Sequence, residues 1–145
     1  MANWYGTARS NYVKAVDVDA LRIEMEPWSI SVHAGSGQNE GKVCLLCETE
    51  DGGWPSSREA DDDEVGVDDG FVEFDFANHV MSHVVEGEVL IVMEAGAEKL
   101  RYITGWSGAF VRTVDGVRAV YTNIDKIYGL AESELGVSEF TFVEY

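Results

Sequence analysis

Cys44-Leu-Leu-Cys47 has the spacing of a metal knuckle or a redox pair, and His79 and His83 stand four residues apart. Two thiolates and two imidazoles form a tetrahedral zinc set when the fold brings them to one point. The local sequence works against this. A knuckle needs a turn between its cysteines, whereas Leu-Leu in an apolar run continues a strand, on which positions three apart face opposite sides. A redox pair opens a helix, and this one does not. HVMSH lacks the glutamate of a zinc-protease helix. The expectation is two buried cysteines acting as small hydrophobes, two histidines on a helix surface, and no metal.

The other residues with chemical potential are carboxylates. Residues 57–70 read SREADDDEVGVDDG, seven acids in fourteen positions, and residues 48–75 hold twelve acids against Arg58 alone. The order of a calcium-binding EF-hand loop is missing, so loose cation association is the expectation. Glu73 and Asp75 alternate with Val72, Phe74 and Phe76, which places them on the wet side of a strand, where a carboxylate has no cause to become an acid–base catalyst. There is no phosphate loop, dinucleotide fingerprint or nucleophile elbow. No catalytic residue and no cofactor is expected.

A row of carboxylates can also stand in for phosphates. Alternate strand positions repeat about every 6.6–7 Å, and a nucleic-acid-binding protein already presents Lys and Arg for such a row. The residues expected to form this partner-binding surface are Glu59, Asp61, Asp62, Asp63, Glu64, Asp68, Asp69, Glu73 and Asp75. Trp54, beside Pro55, is either an apolar anchor for the partner or a pin holding its loop to the core.

These groups must be positioned by the elements around them. Asn11 to Val16 is β-prone, and Asp17 is placed to cap a short helix, VDALRIEME, that stops at Pro27. Strands are expected at 29–34, 42–49, 71–76, 87–96, 99–111 and 117–122, with TVDG as a hairpin turn. FANHVMSHVV (76–85) suits a short helix, and Asn123 is placed to cap another over IDKIYGLAESEL. FTFVEY reads as a closing strand. About six strands and three short helices in neighbouring hairpins make a single α+β domain over 1–145 with an antiparallel sheet.

The chain has 145 residues and a net charge of −17. That charge repels nucleic acid and anionic membranes and draws basic proteins. No run of about 18 apolar residues is present, so no membrane span is expected; the start lacks signal-peptide order, and with two cysteines a reducing, cytoplasmic setting fits.

ANWYGTARSNYVKAVDVDAL, EDGGWPS and VLIVMEAGAEKLRYITG resemble a family of small acidic proteins encoded by phage, plasmid and other mobile elements. The resemblance implies a setting in which acidic proteins that look like DNA disarm restriction or CRISPR systems. The expected function is therefore a non-enzymatic anti-CRISPR or anti-restriction inhibitor that binds a basic, nucleic-acid-binding complex by DNA mimicry. The alternative is a mobile-element interaction module whose acids serve solubility only.

Overall fold

The computed structural model describes residues 4–61, 70–99 and 102–143. Among the described residues eight strands run in chain order: β1 (Trp4–Ser10), β2 (Ile30–Ala34), β3 (Val43–Cys47), β4 (Ser57–Glu59), β5 (Phe71–Glu73), β6 (Val89–Glu98), β7 (Tyr102–Thr113) and β8 (Gly116–Asn123). Six form one sheet in the order β2-β3-β1-β6-β7-β8, and β4 and β5 pair separately. All the pairings are antiparallel. With helices α1 (Val18–Met25) and α2 (Lys126–Leu135), this is the expected α+β architecture. Among the described residues no helix is long and apolar enough to cross a membrane.

Asp17 takes an extended conformation and its side chain accepts from Ala20 N, as expected of an N-cap. Leu21 and Met25, four apart on one face of α1, are buried against the sheet. Pro27 lies within a following 3₁₀ turn, Glu26–Trp28, which a proline's fixed φ suits. Ser29, at φ 57°, then reverses the chain into β2.

The core lies between this sheet face and a layer made of α1, the Trp28 turn and residues 76–84. Leu90, Val92, Phe110, Leu45 and Ile30 meet Leu21, Met25, Val80, Met81 and Val84 there. Trp28, Phe74, Phe76 and His79 fill one end with ring contacts of 4.9–5.7 Å.

Four local expectations are revised. The N-terminal strand is Trp4–Ser10, and residues 11–16 add only isolated bridges from Val13 to Val43 and Ala15 to Val84. The alternation over 71–76 holds for burial, but the ladder ends at Glu73, where Asp75 turns to cap a π-helical turn, Phe76–Val80. Asp125, not Asn123, precedes α2. FTFVEY joins no strand as far as residue 143. Phe142 instead stacks on Tyr128 at 4.1 Å and 7°, and Val143 N donates to the Tyr128 hydroxyl.

Candidate partner-binding surface

In the β4–β5 hairpin, Ser57 lies opposite Glu73 and Glu59 opposite Phe71. Glu59 and Glu73 therefore share the outer face as diagonal neighbours, about 7–8 Å apart on the backbone, and both are exposed. Arg58 and Val72, paired with each other, point inward. The Arg58 guanidinium lies 5.0 Å from the centre of the Trp28 ring, a cation–π contact. The single base of the acidic segment is thus drawn to the inner side, and the outer face keeps its negative charge.

Asp61 is exposed at the end of this hairpin. Asp62, Asp63, Glu64, Asp68 and Asp69 lie outside the described residues. Asp75 has separate work: its carboxylate accepts from Ala77 N at 2.9 Å and from Asn78 Nδ2 at 2.6 Å, capping the turn. Its own N–H donates to His79 Nδ1 at 2.9 Å. The structure thus unites Glu59 and Glu73 and spends Asp75 on a cap.

Trp54 packs edge-on against Phe76 at 5.1 Å. Its backbone N donates to Glu94 Oε1 at 2.8 Å, and its indole N–H reaches Met93 O at 3.3 Å. Trp54 therefore pins its loop to the sheet. The carboxylate that holds it is a hub, since Glu94 Oε2 accepts from Trp106 Nε1 at 2.6 Å. Sequence reasoning passed over Glu94, a lone acid in VLIVMEAG. Its position on the strand face that also carries Leu90 and Val92 was the available signal, because an acid there needs donors.

Trp4 completes the cluster. Its indole donates to Thr104 Oγ1 at 2.8 Å and lies where side chains on Gly6, Gly53 or Gly96 would otherwise be. The loop beside it closes on itself: Thr49 Oγ1 donates to Gly53 O at 2.6 Å, Gly53 N to Asp51 Oδ1 at 3.0 Å, and Gly6 N to Asp51 O at 2.8 Å. Gly52, at φ 85°, presses against the Gly6 carbonyl where no Cβ fits. The three stretches WYG, DGGWP and MEAG, far apart in sequence, thus meet at one end of the sheet.

Cys44 and Cys47 lie on opposite faces of β3. Cys44 stands across from His33, with Arg9 Nη2 at 3.9 Å from its sulfur; Cys47 stands across from Ile30, on the core side. Burial, followed by the nearby charges of Glu94 and Asp51, pushes the Cys47 thiol up to about 12, far from the thiolate that redox or metal chemistry uses. His79 is packed between Trp28 and Phe74. Among the described residues no three His, Cys, Asp or Glu side chains gather to hold a metal.

The opposite face of the large sheet has another character. The register puts Tyr5, Thr7, Arg9, Leu46, Val89, Ile91, Met93, Ala95, Ser107, Ala109, Val111, Arg118, Val120 and Thr122 on it. Met93 is 59% exposed and Val120 70%. None of the strand positions on this face is an acid.

The chain matches no family model, no curated protein and no solved structure.

Proposed function

We propose that this chain is a non-enzymatic inhibitor of a basic, nucleic-acid-binding defence complex, of the anti-CRISPR or anti-restriction kind, that occupies the complex's phosphate-binding residues with its acidic hairpin. The observation that carries this reading is charge segregation. The strand positions of the exposed apolar sheet face carry no acid, while the hairpin's outer face holds Glu59 and Glu73 with its arginine turned away. Among the described residues, Asp19 and Arg22 form an ion pair at 3.6 Å, away from the hairpin. Fixed carboxylates would then compete for the lysines and arginines that otherwise bind phosphate, with affinity that falls as salt rises.

Charge reversal tests it. Lys at 59, 61, 62, 63, 64, 68, 69 and 73, with Asp75 retained for its cap, should abolish protection of DNA from the target nuclease and leave the circular dichroism spectrum unchanged. Full protection by the folded variant would refute mimicry.

The open sheet face supports a second reading, in which the working surface is apolar and the acids only solubilise. The C-terminal arm from residue 124 exposes Ile127, Leu130, Leu135 and Phe142 and carries Asp125, Glu132, Glu134 and Glu139, which complement Arg9 and Arg118 on that face. The occupant is then the arm of a second copy. Light scattering distinguishes the readings: a salt-resistant dimer disrupted by Ile91→Asp supports the second, and a monomer at all concentrations eliminates it.

A further inference from the structure

Beside the Trp4–Glu94 cluster, β1 and the loop after β3 border an open concavity of about 540 Å³ whose wall includes Trp4, Tyr5, Glu50, Asp51, Trp54 and Pro55, the remainder being hydroxyl side chains. Among the described residues no lysine, arginine or histidine lines it. Its volume falls within the range of sites that enclose small ligands. Aromatic rings attract a cation through their negative faces, and two carboxylates at the same cleft oppose an anion and leave a neutral ligand's apolar surface beside unpaired charge. What the wall fits is a cation on an apolar stem.

The cleft is also held in shape before anything binds. Trp4 is fixed by its bond to Thr104 and its bed of glycines, Trp54 by Glu94 and Met93 O, and the loop by its internal Thr49, Asp51 and Gly53 bonds. A preformed site spares the ordering cost of binding. Asp51 Oδ1 is engaged within the loop, whereas exposed Glu50 is at liberty to meet a ligand.

We propose that this cleft receives an arginine side chain of the basic partner, its guanidinium held by the aromatic wall and the Glu50 carboxylate. The inference rests on the reading of the partner as basic, and it adds a single side-chain anchor to the electrostatic contact of the hairpin.

The test uses the full chain, a short arginine-containing peptide, and the same peptide with citrulline, which keeps the shape and removes the charge. The four indole N–H signals are followed by NMR. Binding in the cleft moves the Trp4 and Trp54 signals and leaves Trp28 in place, with citrulline at least tenfold weaker. Glu50→Gln, an exposed change, should weaken the arginine peptide about tenfold; Trp54→Leu should weaken it further. Equal affinity for the two peptides, an unaffected Glu50→Gln variant, or shifts that avoid Trp4 and Trp54 would each overturn the proposal. Failure here stays separable from failure of mimicry: the hairpin reversal leaves all cleft residues intact, so peptide binding and nuclease protection are lost independently.

Discussion

The two faces of the large sheet come from the same strands, yet they live in opposite environments. On β6, Leu90 and Val92 are fully buried beneath α1 and the turns of residues 76–84, while Val89, Ile91 and Met93, one position out of step, face solvent. An unbroken apolar strand usually signals burial on both sides. Here half of that signal belongs to a face that leaves Val89, Ile91 and Met93 exposed, in a chain of net charge −17. The difference shows that hydrophobicity marks the demand for a neighbour, and that the chain supplies one to only a single face.

The largest expected effect tests this directly. Leu90→Ala should cost about 2–5 kcal/mol in denaturant unfolding, and Ile91→Ala, one residue along, less than about 1 kcal/mol. Equal losses would mean that the open face is covered in solution. Next is Glu94→Gln, which turns an amide N–H₂ toward either the Trp54 or the Trp106 donor and should cost about 1–3 kcal/mol. Asp75→Ala should cost about 1 kcal/mol through its lost cap, against less than about 0.5 kcal/mol for Glu73→Ala. That pair separates an acid used by the fold from one left for a partner.

The smallest effect near neutral pH concerns Cys47. Its folded thiol keeps its proton to about 12, while the unfolded thiol releases it near the ordinary value of 9.0. The unfolded state thus binds fewer protons between these values, so the contribution to stability is whole below pH 9 and declines as pH rises toward 12. Cys47→Ala should flatten the alkaline limb of an unfolding-versus-pH curve. Glu94→Gln should shift that limb to lower the thiol's resistance, since the Glu94 charge is one of the causes raising it.

The sheet was legible because β-branched and aromatic runs between glycine turns are set locally, as in β6, β7 and β8. Asp17 was legible as a cap for the same reason. β1 was harder to read, since WYGTARS has neither clean alternation nor an apolar run, and it becomes a strand through partners on both sides. FTFVEY has a strand's composition, but aromatic stacking on Tyr128 supplied a nearer use for its rings. At the candidate surface, the outer placement of Glu73 followed from alternation, whereas that of Glu59 depends on its pairing in β4, a strand too short to show a pattern of its own. Glu94, the aromatic cleft and the bare sheet face depend on residues distant in sequence, and no local pattern announces them.

The position of β1 has a consequence for how the chain is made. The first of these strands to be synthesised sits third in the sheet, between β3 and β6, and Trp4 is opposite Glu98. The β6-β7-β8 meander can form from local contacts, but β1 must await β6, which is made only after β2 to β5. Such distant pairing is slow to nucleate. Until it happens β1 lacks its longer partner edge, with only β3 made in time to pair with it, and the assembly of Trp4, Gly53 and Glu94 marks the moment that wait ends.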